Sequence, residues 1–382
     1  MKKNVFIQWV LISLIPCATI TSASLQALIF KAALFKNIKY PETSIVLFSD
    51  MHDLCAKDIN IMQMENFLEN ITKLSLYGKN KISVITESIF LNGINLNKGN
   101  EASVAQKFYD TYKFYPATKK ELLPNFNAST TDLSLINPNL CSISTWITWD
   151  LPIRFVKEKS NGGSLVSLDA LDPRQKIFFF ADILCAYLNH PNCSIKPKMS
   201  LGDIYDFVDS LLAKAPQISG LSSLCDNKRK QLKTIEVIFG NKEKRKQIFP
   251  YNAMTFLPNN KEAFAELLRL FGIRKENDGY RVSTDLMVDD SYLGKDLLEI
   301  ATMNIILNNL NNKNSQKIVI VLAGVGHTKF LRFILLQLGF TCIHKFPSRE
   351  MKGKLTGKDL VEIFDKIPSA LNNKDLYVKP TN

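Results

Sequence analysis

Apolar and polar positions along this chain follow two periods, and the switches between them mark its elements. Ile45 to Phe48 is an unbroken apolar run ending in Ser49, Asp50, His52 and Asp53. That is the pattern of a buried parallel strand, here Thr43 to Ser49, whose carboxyl end carries the polar groups. Asp58 to Leu76 then places Ile61, Met64, Phe67, Leu68, Ile71 and Leu74 at helical spacing, and Gly78 closes the helix. Lys81 to Glu87 reads as the next strand. Strand, helix and strand make one βαβ unit with parallel pairing.

Further along, Ser164 to Asp169 is a third strand ending in a carboxylate, and Asp172, Pro173 and Arg174 open a helix that runs to about Leu188. Asp289 to Leu310 predicts a long helix leading into an apolar strand, Lys317 to Ala323, followed by Gly324, Val325, Gly326 and His327. Phe330 to Leu338 is helical, Gly339 caps it, and Phe340 to Lys345 is a last strand. Leu25 to Asn37 reads as a short helix or an extended leading segment. Glu101 to Tyr112 has helical spacing, whereas Asn125 to Asn139 is loop-like, and Trp146 and Trp149 read as core residues. The fold class expected is α/β, a mostly parallel central sheet flanked by helices. From Leu201 to Phe271 the apolar spacing is helical throughout. This stretch (about 200–272) is read as a helical insertion over the carboxyl edge of the strands, within an α/β domain spanning about 40–350. Residues 351–382 form a polar tail, relieved by a helix near Lys358 to Ile367.

Composition narrows the class. A chain of 382 residues with 46% hydrophobic and 22% charged residues is globular, not disordered. Lys2 and Lys3, then the apolar Val5 to Ile20, then Thr21, Ser22 and Ala23 form a signal peptide over 1–23 and imply export to a periplasm or the exterior. Pro16 before Cys17 argues against a lipidation site. The formal charge of +12 becomes +10 when Lys2 and Lys3 are removed. It is spread widely, which argues against nucleic acid as partner. The basic clusters Lys228 to Lys230 and Lys242 to Lys246 read as exposed helix faces, with peripheral contact to anionic lipid or phosphate as the other reading. No Cys-x-x-Cys spacing occurs, and Cys185 and Cys193 are the nearest candidates for a bridge, against buried free thiols.

The candidate chemistry sits at the strand ends. Only four histidines occur, and His52 and His327 both follow predicted strands. Glu87 and Asp169 end two others. Two imidazoles and a carboxylate at one sheet edge suit a divalent Zn, Mn, Co or Fe, with an open position for water or substrate. His52, Glu87 and His327 would be its ligands, and Asp50, Asp53 and Asp169 are available to orient them. A serine nucleophile is unsupported, since no Gly-x-Ser-x-Gly elbow occurs.

Ile45 to Asp53, the following helix with Gln63, Val84 to Glu87 and Leu322 to His327 together resemble the TIKI/TraB, ChaN and erythromycin esterase superfamily. Its members carry paired Gly-x-x-His motifs and a glutamate after the second strand. Gly324 to His327 matches the second motif, whereas the first has Ser49 for glycine and Asp50 where two branches have glutamate. Asp169 is similar to an aspartate at the corresponding strand end. The resemblance implies three outcomes. The first is an exported metal-dependent hydrolase of peptide or ester bonds, with His52, Glu87 and His327 on the metal and Asp50 as general base or water-orienting group. The second is a ChaN-type protein that binds haem or iron through histidine or Tyr280 without catalysis. The third is a degenerate member with an empty site.

Overall fold

The computed structural model describes residues 28–51, 67, 69–71, 73–74, 81–87, 166–170, 173–215, 217–256, 260–283, 290–311, 317–346 and 362–367. The leader over 1–23, Cys17, His52, Asp53, Gln63, Gly78, Glu101 to Tyr112, Asn125 to Asn139, Trp146 and Trp149 lie outside them.

Four strands precede the long helical stretch: β1 (Leu28–Lys36), β2 (Thr43–Met51), β3 (Lys81–Thr86) and β4 (Val166–Ala170). Helices α1 (Gln175–Asn189), α2 (Leu201–Ala213), α3 (Ser219–Phe239), α4 (Lys242–Lys246), α5 (Ala253–Phe256) and α6 (Lys261–Leu270) come next. The chain continues through β5 (Ile273–Glu276), β6 (Gly279–Val282), α7 (Leu297–Asn311), β7 (Lys317–Gly324), α8 (Val325–Gln337) and β8 (Thr341–Phe346). Six strands form one sheet in the order β4-β3-β7-β2-β1-β8. β4, β3, β7 and β2 pair in parallel, and β1 pairs antiparallel with both β2 and β8. The class is therefore α/β, with a mixed, mostly parallel sheet flanked by helices.

The centre of the sheet is the most apolar part of the chain. β7 is rich in Ile and Val and buried almost throughout, as a strand covered on both faces must be. On one face Ile45, Leu47, Ile85, Val319, Val321 and Ala323 join a core with Ile177, Phe180, Leu201, Ile300, Met303, Leu331 and Ile334. On the other face Phe48 meets the rings of Phe67 and Phe364, at 5.7 and 5.9 Å between centroids. Residues 362–367 are helical, and Ile363, Phe364 and Ile367 are buried. The expected helix within the polar tail is thus in part a layer of the domain.

Several elements differ from the sequence reading. Of the two readings of the leading segment the extended one holds, as strand β1, antiparallel to β2 with a register shift between Ile29 and Lys31. Apolar residues fill most of its positions, so neither period stands out there. β5 and β6 form an unforeseen two-stranded hairpin, since their exposed charged residues hide the alternation. Helix α7 starts at Leu297 and not at Asp289, because residues 290–296 form a turn. Within it Asp296 has φ of 61°, and a Cβ on Gly294 would lie 2.4 Å from the Tyr292 ring. Helix α8 starts at Val325 with no loop after β7, so Gly326 and His327 belong to its first turn. Cys185 and Cys193 are buried thiols not joined by a disulfide, which removes the expected candidate bridge. Among the described residues, no helix is long and apolar enough to cross a membrane.

Candidate functional site

β2 and β7 lie side by side in parallel, with Asp50 opposite Gly324. The two motif stretches are therefore neighbours, as their sequences suggest. Ser49, which stands where the motif has glycine, places its Oγ 2.6 Å from Thr328 Oγ1, one residue beyond His327. This bond ties the end of β2 to the first turn of α8. Asp50 is buried beside it, at 1% exposure. His52 and Asp53 come directly after β2 but are not among the described residues. Asp169 lies in β4, in register with Ile85.

Glu87 and His327 do come together. The amide of Glu87 donates to Leu322 O at 3.0 Å, which extends the pairing of β3 with β7 by one residue. Its Oε2 accepts from the Gly324 amide at 2.9 Å. A carboxylate at the N-terminus of α8 is favoured by the unpaired amides and dipole there. Its Oε1 accepts from Arg174 Nη2 and lies 3.5 Å from His327 Nε2. On the far side of the ring, His327 Nδ1 is 2.6 Å from Glu299 Oε1.

Arg174 and Glu299 are therefore members of the cluster that sequence reasoning passes over. In the sequence Arg174 marks only the start of a helix. It precedes the first residue of α1 and is buried, which calls for a partner because a guanidinium stays charged. Glu299 sits in the first turn of α7, where Leu297 through Asn304 are all buried. A single carboxylate inside an otherwise apolar run is the available signal.

The charges of these four groups balance. Burial alone would lower the pKa of His327, but the Glu87 charge and the Glu299 hydrogen bond outweigh it and push it up to about 10. Burial likewise opposes ionisation of Glu299, and the hydrogen bond and charge of His327 hold its carboxyl below the usual range. Arg174 Nη1 approaches His327 Nε2 to 3.2 Å, which as a hydrogen bond would need a neutral ring. The imidazolium is the better assignment. With it, two carboxylates face two cations; with a neutral ring, the four groups would carry one net negative charge inside the protein. The guanidinium and the ring then lie side by side, both directed at Glu87 Oε1.

A metal held by His52, Glu87 and His327 needs a lone pair on Nε2 and an open carboxylate oxygen. Here Glu87 Oε1 is bonded to a guanidinium and Oε2 to a backbone amide. Nε2 of the protonated ring has a permanent cation 3.2 Å away. As placed, these atoms already have protein partners, His52 lies outside the described residues, and among the described residues no group of three or more metal-binding side chains gathers. Tyr280, the candidate haem ligand, lies in β6, where the Asn189 side chain holds its amide and its carbonyl at 2.7 and 2.8 Å. Its ring stands edge-on to Phe264.

The basic clusters lie on exposed helix faces, apart from Lys228 and Arg245, which are buried. Lys228 is buried, and Arg229 pairs with Asp226 at 2.8 Å. Lys242 and Lys246 share Asp206, at 3.1 and 3.7 Å. Arg245 is buried and stacks 4.1 Å from the centre of the Tyr205 ring. No protein-family model, curated protein or solved structure matches the chain.

Proposed function

We propose that the chain is an exported hydrolase of ester or peptide bonds that works by acid–base and electrostatic catalysis at Glu87, Arg174 and His327. One observation carries this reading: four ionisable side chains from separate parts of the chain converge, buried, where β3 and β7 end. Open α/β sheets collect their chemistry at the carboxyl ends of parallel strands, and buried charge clusters with shifted pKa values are frequent there. The leader over 1–23 is part of the proposal, as is the placement of residues 201–270 as a cap over that edge.

Each group has a role suited to its surroundings. In this reading the Arg174 guanidinium turns from Glu87 Oε1 to the substrate, and Glu87, still oriented by the Gly324 amide, takes a proton from the attacking water at the freed oxygen. Arg174 offers a permanent positive charge to the oxyanion that develops on the substrate carbonyl. His327, held as imidazolium, gives the Nε2 proton to the leaving group. Glu299 fixes the ring by its contact at Nδ1, so that Nε2 points toward Glu87.

The test is hydrolysis of a panel of chromogenic esters and peptides by the full-length mature protein, with and without a chelator, beside Glu87→Gln. Expected is activity that survives chelation and falls by about 10²-fold or more in the variant, the scale of a lost general base. Activity abolished by the chelator would return the site to the metal reading with His52. A folded protein inert toward the whole panel would reduce the cluster to a charge-balanced internal network.

A further inference from the structure

Helix α3 contributes no group to the cluster, yet it grips both elements that carry the His327–Glu299 pair. Lys228 and Gln231, one helical turn apart, capture three successive backbone carbonyls. Lys228 Nζ donates to Tyr292 O at 2.9 Å. Gln231 Nε2 donates to Asp290 O and Ser291 O at 2.8 and 2.9 Å. Lys228 also donates to Gln231 Oε1 at 3.1 Å, so the two side chains brace one another. The segment they hold is the turn that precedes α7. Tyr292 is fully buried, Gly294 leaves room for its ring, and Asp296 takes the left-handed conformation that turns the chain into the helix. Glu299 is the third residue of that helix.

Lys228 and Gln231 lie midway along α3, and near its N-terminus the same helix holds α8. The amide of Gly220 donates to Gln337 Oε1 at 3.0 Å, and a Cβ on Gly220 would lie 2.6 Å from Ile334. His327 stands in the first turn of that same helix. One helix of the 201–270 stretch thus spans the start of α7 and the end of α8.

We propose that Lys228 is a positioning residue of the site: its hold on the Tyr292 carbonyl sets where α7 begins, and so where Glu299 meets His327. The inference rests on the reading of the His327–Glu299 pair as part of the working site. Core filling alone does not account for an ammonium at this position. Lys228 is only 1% exposed, and an apolar side chain of its length would fill the space without the cost of burying a charge. The ammonium donates to two neutral oxygens, one from the turn and one from Gln231, and the Asp296, Asp290 and Glu299 carboxylates favour its charge. Burial outweighs them and pulls its pKa down to about 8.

The experiment is proton NMR of the full chain, read at the imidazole N–H signals, with the His327 signal identified by its loss in His327→Gln. A hydrogen bond from Nδ1 to a carboxylate moves that proton far downfield. Lys228→Met keeps the length and removes the donor. The expected result is a folded protein whose His327 Nδ1 signal has moved upfield or disappeared. A lysine with a merely structural role would change the melting temperature and leave the signal in place, and that result overturns the proposal. If Lys228→Met does not fold, Gln231→Leu frees the neighbouring carbonyls without removing a charge, and an unmoved signal there overturns it equally. A wild-type protein with no downfield signal overturns the pairing of His327 with Glu299, and this proposal with it. A Lys228-dependent signal in a protein inert toward every ester and peptide supports the positioning role while overturning the hydrolase reading.

Discussion

The Nδ1 of His327 and the Oε1 of Glu299 lie 2.6 Å apart, and both residues are buried. This contact, with Glu87 facing the other nitrogen, holds the ring as imidazolium. Its consequence for stability has a definite sign. The folded pKa of His327 is raised from 6.5 to about 10, so the stability it contributes is complete below pH 6.5 and is lost as pH climbs toward 10. Glu299 works in the opposite sense. Its folded pKa lies below its usual 4.5, so its contribution is present above that pH and fades as the solution becomes more acidic. The urea midpoint should therefore fall through the alkaline range, by an amount on the order of a few kcal/mol in stability. Glu299→Gln keeps an acceptor but removes the charge, and should bring that fall to lower pH. A wild-type midpoint that stays level across this interval would dispose of the imidazolium assignment.

Arg174 makes a second prediction. Removing one member of a buried ion pair leaves the other uncompensated, at a typical cost of about 3–5 kcal/mol. Arg174→Met should therefore be strongly destabilising, because Glu87 keeps its charge inside the protein. Glu87→Gln in the same chain should restore a substantial part of the loss. Denaturant unfolding of the two single variants and the double variant closes the cycle. Strict additivity would show that the two side chains do not interact.

How the cluster could be read from the sequence depends on the residue. Glu87 and His327 are legible because each comes after an apolar strand, and parallel strands deliver the residues beyond their carboxyl ends to a shared edge. The βαβ reading implies that β2 and β3 pair directly, but β7 lies between them and pairs with both, and this insertion brings Glu87 beside His327. The sheet is legible for the same reason: β2, β3 and β7 are apolar runs too regular for any other element. Glu299 is hidden because α7 is buried around most of its circumference, so no polar stripe distinguishes one of its faces. Arg174 is hidden by chemistry, since its partners lie at positions 87 and 327, far away along the chain. Lys228 reads as an exposed cation because it stands beside Arg229 and Lys230. Helical geometry separates such neighbours by about 100°, which turns one of them inward.

Gly326 carries a prediction about the motif itself. A glycine between β7 and His327 reads as a turn residue, but here it lies in the first turn of α8 and its φ is not left-handed. Among the described residues, nothing lies within 4 Å of where its Cβ would be. Gly326→Ala should leave stability unchanged or raise it by about 0.4–1 kcal/mol, since alanine restricts the unfolded chain more. Thermal unfolding checks this. A marked loss of stability would mean that the position is more crowded than the described residues make it. Unaltered folding together with lost hydrolysis would mean that the open space beside His327 is used by substrate.

Phe364 tests how far the domain extends toward the C-terminus. Its ring is buried and lies 5.9 Å from Phe48, the last apolar residue before Ser49 and Asp50 in β2, and 5.6 Å from Phe67. These three rings fill the face of the sheet opposite α7 and α8. Truncating a buried phenylalanine to alanine removes its transfer energy and leaves a cavity, together about 3–5 kcal/mol. Phe364→Ala should cost an amount of that order in denaturant unfolding. The effect should reach the site as well, because Phe48 is one residue from Ser49, whose hydroxyl bonds Thr328 at 2.6 Å beside His327. Loosening β2 at Phe48 therefore weakens the hold of β2 on the first turn of α8. The expected pattern is a large loss of stability in Phe364→Ala, with an added shift in the His327 ring proton at temperatures where the protein is still folded. A variant as stable as wild type would show that residues 362–367 are a tail resting on the sheet and not a layer of the core.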